Sequence, residues 1–208
     1  MEDKWPVNNA EDILREAGRQ LALIHEVPVE GFGWIDRNSY GRLKGVHPAF
    51  RDFFDEDLPE GLDALRRFEF TPRERETVTG LMETARNMLD VPQAVLVHGD
   101  FDVSHIFHAN GRYTGIIDLG EIRGSNPLWD LATCALFDGS PGRTAYRHVL
   151  EGYHEVVPLD EDDRYAIELF YLFRTVVGMG GNADRPRLAG FFYHRCRDQL
   201  EWMGIVRN

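Results

Sequence analysis

The stretch from Val95 to Asp130, VLVHGDFDVSHIFHANGRYTGIIDLGEIRGSNPLWD, constrains the fold of this chain more than any other. An apolar run, Ala94 to Val97, ends at the tripeptide His98-Gly99-Asp100. This pattern is typical of a buried strand that leads into a functional loop, because a rigid strand holds the polar residues that follow it in place. We therefore expect Asp100 to be held firmly and to face outward.

A β-hairpin is predicted directly after this loop. The apolar run His105 to Phe107 leads to Asn110-Gly111, a dipeptide that favours the positive φ values of a type I′ turn, and the segment Tyr113 to Ile117 returns. The return strand ends at Asp118, so the hairpin should bring Asp118 back beside the loop that begins at Asp100. Two carboxylates placed together usually hold a cation or divide acid and base roles.

The same residues carry a resemblance to a known family. The segments HGDFDVSHIF and GIIDLGEIRGSNPLWDLA resemble the catalytic core of the aminoglycoside phosphotransferases, whose members usually read HGDxxxxN, then IDxG and DPxxDLA. The order parallels the catalytic loop and DFG segment of protein kinases, in which the first Asp receives the substrate hydroxyl proton and the second holds Mg²⁺. The upstream segment AGRQLALIHEVPVEGFGWID is similar to the opening of the family's helical lobe.

The resemblance implies a role for each matching residue. Asp100 would be the catalytic base, and Asp118 would hold Mg²⁺ against the phosphates of ATP or GTP. His105 stands where the family has Asn, and it would share cofactor and metal binding, although an imidazole nitrogen suits Zn²⁺ better than Mg²⁺. His98 and Asp130 would give structural support, with Asp130 bracing the catalytic loop from the start of a helix.

Other polar residues near these motifs are candidates for substrate or phosphate contacts. Asp102 and Glu121 are candidate partners for the amines of a cationic substrate. Arg123 is the arginine nearest the site in sequence and is a candidate for a phosphate contact, although an ordinary surface residue is the more common role of an arginine at such a position. His25, at the end of the first predicted helix, is interpreted as a partner for the helix dipole.

The rest of the pattern predicts a mostly helical α+β fold, the protein-kinase-like C-terminal lobe with a small catalytic-loop hairpin. We expect a single domain over residues 1–208, with residues 1–8 disordered and an irregular hairpin or loop from Gly31 to Pro48. The helix that begins at Asp160 is apolar almost all round and should be central. The predicted helices are Asn9 to Glu26, Phe50 to Phe54, Leu62 to Phe68, Thr71 to Leu89, Leu128 to Phe137, Ser140 to Val156, Asp160 to Val177 and Pro186 to Trp202.

Composition excludes several classes of protein. The 208 residues carry a net charge of −12, which argues against a nucleic-acid partner and would favour a cationic substrate. No run of 18 apolar residues exists and the start is not that of a signal peptide, so we expect no membrane partner and a cytoplasmic location. Cys134 and Cys196 form no CxxC motif and are expected to be reduced.

One half of a phosphotransfer site is not evident in the sequence. Kinase-like enzymes cover the phosphates with a glycine-rich strand turn and pair them with a strand lysine. The chain has only two lysines, Lys4 and Lys44, and neither lies in an apolar strand. We therefore expect the N-terminal strand-rich lobe to be absent, because of an internal start, because the chain is a remnant, or because another chain supplies that surface.

Three functions remain open at this point. The first is transfer of the γ-phosphate of ATP or GTP to a hydroxyl of a small molecule, possibly an aminoglycoside, with choline, homoserine and sugar kinases as alternatives. The second is a non-catalytic binding or regulatory remnant of the family. The third is a metal-dependent hydrolase that would use Asp100, Asp102, His105 and Asp118. The sequence does not predict an oligomeric state.

Overall fold

A computed structural model of the chain describes residues 9–206. The expected disorder of residues 1–8 lies outside the described residues. The fold is mostly helical α+β. Its helices are α1 (Ala10–Ile24), α2 (Phe50–Arg67), α3 (Pro72–Met88), α4 (Leu128–Phe137), α5 (Thr144–Val156), α6 (Glu161–Gly180) and α7 (Pro186–Trp202). Its strands are β1 (Pro28–Val29), β2 (Phe32–Ile35), β3 (Gly45–His47), β4 (Ala94–Val97), β5 (Ile106–Ala109), β6 (Arg112–Ile116) and β7 (Arg123–Ser125).

Helix boundaries with clear capping signals match the prediction. The start of α3 is a capping box, in which the amide of Glu74 donates to Thr71 Oγ1 at 3.2 Å and the amide of Thr71 donates to Glu74 Oε2 at 2.7 Å. Helices α4 and α7 begin and end at the predicted residues. The pattern also predicts that the side chain of Asn9 caps α1, and this is wrong: Asn9 has φ of 67° and its side chain makes no capping hydrogen bond.

The region from residue 50 to 67 is one helix, so the prediction of two short helices is wrong. Pro59 lies inside α2 and lacks the amide that would continue the hydrogen-bond ladder. The helix continues because its apolar stripe packs on α6, where Phe54 stacks on Phe173 with ring centroids 4.1 Å apart. Packing of this face outweighs the local cost of the proline.

The helix predicted to start at Ser140 begins later. A short 3₁₀ turn, Pro141–Arg143, comes first, and α5 starts at Thr144. Arg143 has φ of 52°, in the left-handed region, so the chain turns before it enters the helix.

Helix α6 is central, as predicted. It packs against α2, α3, α4 and α7, and its buried residues belong to one hydrophobic core that all seven described helices share. Cys134 and Cys196 are free and buried in this core. None of the helices in the described part of the chain combines the length and the apolarity of a membrane-spanning helix.

Five short strands form an antiparallel sheet in the order β1-β4-β7-β2-β3. Strand β4 has the predicted bounds, and the segment from Gly31 to Pro48 is an irregular hairpin whose register shifts between Phe32 and Ile35. Because β7 pairs with both β4 and β2, the sheet joins the segment that precedes the HGD tripeptide to the segment that follows Asp118.

The predicted hairpin of the central stretch is confirmed. Strands β5 and β6 pair antiparallel, and Ala109 opposes Arg112 across the two-residue turn. Asn110 and Gly111 have φ of 52° and 71°, as a type I′ turn requires. A 3₁₀ turn, Val103–His105, connects the HGD loop to β5 and places His105 just before the hairpin.

Candidate functional site

The loop after β4 is held by a buried carboxylate on α4. Asp130 accepts hydrogen bonds from the amide of His98 to Oδ2 at 2.7 Å and from the amide of Gly99 to Oδ1 at 2.8 Å. Asp130 is fully buried and lies in the first turn of α4. A carboxylate that accepts two consecutive amides fixes the peptide planes immediately before Asp100.

Gly99 cannot be replaced without moving this loop. Its φ is +90°, which side chains rarely adopt, and a Cβ added there would lie 1.9 Å from the carbonyl oxygen of Glu121. The glycine therefore allows the loop to pass directly against the segment that follows Asp118. Close approach of these two backbones brings the HGD loop and the end of the hairpin into one site.

His98 ties the loop to the end of β6. Its Nε2 donates to the carbonyl oxygen of Ile117 at 2.8 Å, one residue before Asp118. The ring lies against that of His105, with centroids 5.4 Å apart. Its Nδ1 is buried and has no hydrogen-bond partner among residues 9–206.

His25 makes a contact that the sequence analysis did not foresee. Its Nε2 lies 3.0 Å from Asp130 Oδ2, and its Nδ1 lies 3.0 Å from the hydroxyl of Tyr153. Burial opposes ionisation of Asp130, but the hydrogen bonds from His25 and from the amides of Gly99 and His98 hold the pKa of Asp130 below its ordinary value. The interpretation of His25 as a helix-dipole partner is therefore wrong, because its ring faces a buried carboxylate.

Three of the predicted site residues meet around His105. Its Nδ1 donates to the backbone carbonyl of Asp100 at 2.7 Å, and its Nε2 lies 3.8 Å from Asp118 Oδ2. Asp118 has φ of 64°, and 67% of its side chain is exposed. The imidazole thus bridges the backbone of one aspartate and the carboxylate of the other.

The two candidate substrate carboxylates both have partners in the protein. Asp102 Oδ1 accepts from the amide and the hydroxyl of Ser104, each at 2.6 Å, and so caps the 3₁₀ turn. Glu121 Oε2 pairs with Arg123 Nη2 at 3.2 Å and stays half exposed. The carboxylate of Asp102 is engaged in the turn, and that of Glu121 in an ion pair at the surface.

The donor set fits a magnesium ion that is shared with phosphates. Asp118 is an exposed carboxylate whose backbone is in a left-handed conformation and whose side chain caps no helix. Mg²⁺ commonly takes one or two protein carboxylates and completes its shell with water and phosphate oxygens. In the described residues, no group of three or more His, Cys, Asp or Glu side chains is arranged to hold a metal ion.

Two arginines beside the loop complete the site, and only one was a candidate from sequence. Arg123 stacks between two rings, with its guanidinium carbon 4.2 Å from the centroid of Trp34 and 4.9 Å from that of Trp129. Arg174 Nη1 donates to the carbonyl of Gly99 at 3.1 Å, and its guanidinium carbon lies 4.5 Å from the centroid of Trp129. Arg174 could have been noticed as a charged residue in an otherwise apolar stretch of α6.

Comparison with known families and proteins shows the family of the chain. Residues 2–167 match the model of a family described as the phosphotransferase enzyme family. A homoserine kinase of Phenylobacterium zucineum (strain HLK1) is 29% identical over 166 residues, which cover 74% of this chain and 46% of that protein. The chain thus spans about half the length of the curated relative that it matches.

Solved structures share the fold. One, described as a fructosamine-3-kinase from Thermobifida fusca YX-ER1, has a TM-score of 0.61 at 26% identity, over 95% of this chain and 68% of that one. Another is a thermostable mutant of the aminoglycoside phosphotransferase APH(4)-Ia in ternary complex with AMP-PNP and hygromycin B. It has a TM-score of 0.60 at 18% identity, over 92% of this chain and 66% of that one.

Proposed function

The chain belongs to the phosphotransferase enzyme family, and from that premise we propose that it transfers the γ-phosphate of a nucleoside triphosphate to a hydroxyl of a small molecule. Asp100 is the base in this proposal, Asp118 holds the metal, and His98 and Asp130 support the loop. Relatives named for homoserine and fructosamine support a small hydroxylated acceptor.

One observation carries the proposal. His105 contacts the backbone of Asp100 and the carboxylate of Asp118 at the same time, at 2.7 Å and 3.8 Å. This contact supports the proposal that the two aspartates, which are 18 positions apart in sequence, act in one site. Phosphoryl transfer needs this pair of functions together, because the hydroxyl and the phosphate must be positioned in line while negative charge is stabilised.

In the chemical step, the phosphoryl group moves to the acceptor and Asp100 receives the hydroxyl proton. The acceptor oxygen forms a bond to the γ-phosphorus as the bond between that phosphorus and the bridging β,γ-oxygen breaks, which releases the nucleoside diphosphate. The hydroxyl proton passes to the carboxylate of Asp100. Asp130 and His98 keep the Asp100 loop in place during this step, because they fix the backbone that precedes the base.

Asp118 and His105 would hold the metal ion. Bound Mg²⁺ would stabilise the negative charge of the phosphates and orient them toward the acceptor. The Nδ1 of His105 is occupied by the Asp100 carbonyl, so its Nε2 is the ring nitrogen that faces Asp118 and the proposed metal position.

In this proposal the rest of the nucleotide is bound by a surface other than the one described above. Within residues 9–206 no strand lysine stands beside a glycine-rich turn in the manner of kinase-like enzymes. A non-catalytic role remains the alternative, and it is supported by His105 at the position where the family has Asn.

The test is an assay of transfer by the 208-residue protein. It combines ATP or GTP, Mg²⁺ and a panel of hydroxylated amines and amino acids, and it measures formation of the phosphorylated acceptor by mass spectrometry. Product that depends on Asp100 and on the metal supports the enzyme. Nucleotide binding at millimolar concentration without any product would instead support the non-catalytic module.

A further inference from the structure

Arg174 on α6 is a cation held against the HGD loop without a carboxylate partner. Its hydrogen bond from Nη1 to the carbonyl of Gly99 uses one of the five N–H donors of a guanidinium. Among residues 9–206, no carboxylate lies within ion-pair distance of Arg174. The remaining donors are therefore left to solvent or to a ligand.

This arrangement carries a free-energy cost that an anion would offset. Removing a charged group from water is unfavourable unless an opposite charge compensates for the lost hydration. Burial, together with the positive charge of Arg123, lowers the pKa of Arg174 to about 10, so the guanidinium remains charged at neutral pH. A half-buried cation of this kind is a natural partner for a carboxylate, which it can bind through two parallel hydrogen bonds.

A second guanidinium lies on the same aromatic ring. Arg123 and Arg174 both contact the face of Trp129, and only 11% of the Arg123 side chain is exposed. Glu121 offsets the charge of Arg123 at the surface, with Nη2 and Oε2 3.2 Å apart. Asp100 and Asp130 also act on Arg174 electrostatically, but Glu121 is paired with Arg123, so the hydrogen-bond donors that Arg174 has left are open to a further anion.

The position of the two arginines indicates which molecule would supply the anion. Arg174 contacts the residue directly before Asp100, and the carboxylate that does most to raise its pKa is that of Asp100 itself. An anion bound here therefore lies beside the proposed base. The molecule whose hydroxyl faces the base is the acceptor, not the nucleotide.

We propose that Arg174, assisted by Arg123, binds a carboxylate of the acceptor, so that the acceptor is a small hydroxylated acid or amino acid. This inference rests on the proposed function and deepens it. It replaces the cationic acceptor that the net charge of −12 favours, because the guanidinium of Arg174, which has no ion-pair partner beside Asp100, decides what binds there and the average charge of the surface does not.

The test compares acids with their neutral amides. Binding of glycerate and glyceramide, and of homoserine and its carboxamide, is measured by isothermal titration with AMP-PNP and Mg²⁺ present. The wild-type protein is expected to bind an acid about ten to a hundred times more tightly than its amide. Arg174→Gln should abolish this preference, and Arg174→Lys, which keeps the charge but loses the planar fork, should retain part of it.

Arg187→Gln is the matched control. Arg187 is an exposed arginine on α7, so its replacement removes the same charge from a helix and should leave the ratio of acid to amide affinity unchanged. If the role of Arg174 is purely structural, Arg174→Gln should lose the same affinity for the acid and for its amide. If Arg174→Gln does not fold, the ratio of acid to amide affinity is compared between the wild type and Arg174→Lys. A lower ratio in Arg174→Lys supports the inference, and an equal ratio contradicts it.

Several results would overturn the inference. It fails if no acid on the panel binds more tightly than its amide, or if the preference for the acid is unchanged in Arg174→Gln. It also fails if Arg174→Gln lowers the affinity for AMP-PNP and not the affinity for the acid. These results differ from failure of the proposed function: a protein that binds acids through Arg174 but transfers no phosphate would contradict the function alone.

Discussion

The imidazole of His25 lies 3.0 Å from the buried carboxylate of Asp130, although the two residues are 105 positions apart in sequence. The opposite side of the same ring lies 3.0 Å from the hydroxyl of Tyr153. Because Asp130 also accepts the amides of His98 and Gly99, this contact connects α1 and α5 to the loop that carries Asp100. The helical body therefore positions the loop through buried polar groups.

Replacing His25 should destabilise the fold. His25→Leu introduces an apolar side chain of similar size and leaves the buried carboxylate of Asp130 without its ring partner. Breaking a buried pair in this way lowers the free energy of unfolding by about 3 to 5 kcal/mol. The free energy of unfolding from urea titration measures this loss. Tyr153→Phe is the control, since it removes only the hydroxyl contact and should cost about 1 kcal/mol. Equal costs for both variants would show that the His25 contact with Asp130 contributes little.

The contribution of Asp130 should depend on pH in a definite direction. Its pKa in the folded protein is below its ordinary value, so folding favours the ionised form. The resulting stability is fully present above the pKa of Asp in an unfolded chain, about 3.9, and is lost as the pH falls through the lower pKa of the folded state. Unfolding free energies of the wild type and Asp130→Asn, measured from pH 7 downward, should therefore converge at acid pH. A difference that grows toward acid pH would reverse the sign and contradict the account.

Gly99→Ala should disrupt the loop more than a glycine substitution normally does. The added Cβ would lie 1.9 Å from the carbonyl oxygen of Glu121, and the backbone φ of +90° is unfavourable for alanine. We expect a loss of at least about 2 kcal/mol in unfolding free energy together with loss of transfer activity. Gly190→Ala is the control, because Gly190 lies in α7 with no atom within 4 Å of an added Cβ; alanine there should be neutral or stabilising by up to about 1 kcal/mol. A Gly99→Ala protein as stable and active as that control would show that the loop can move.

His105→Asn should change the metal preference of the site. An amide oxygen is a harder donor than an imidazole nitrogen, so the variant should favour Mg²⁺ over Mn²⁺ more strongly than the wild type does. Titration of each metal against AMP-PNP binding measures the ratio of the two affinities. His194→Asn, at an exposed position on α7, is the control. An unchanged ratio in His105→Asn would remove His105 from the metal site.

Local sequence signals predicted the hairpin and most helix ends because those signals act within a few residues. Asn110-Gly111 sets two positive φ values by itself, and the capping box at Thr71 closes within one turn. The family could be predicted for the same reason, since the motifs that carry the resemblance lie in one continuous stretch; the roles of the site residues stay a prediction. The prediction of two short helices between Phe50 and Phe68 was wrong because the packing of α2 on α6, which outweighs the local cost of Pro59, is a tertiary effect.

The missed residues act over long distances in the sequence. His25 reaches Asp130, and Arg174 reaches Gly99 from 75 positions away. No local pattern indicates which distant group a buried polar side chain will meet. The charge of Arg174 within an apolar helix was nevertheless a usable signal, because a cation there must find a carbonyl, an aromatic face or an anion.

The central claim is that Asp100 acts as the base of a phosphotransfer site. Its most direct test is the rate at which purified wild-type protein and Asp100→Asn phosphorylate an accepted hydroxyl compound with ATP and Mg²⁺. Asp100→Asn is expected to fold with an unchanged melting temperature and to lose about 10² to 10⁴ in kcat. An Asp100→Asn protein that turns over at the wild-type rate would contradict the central claim.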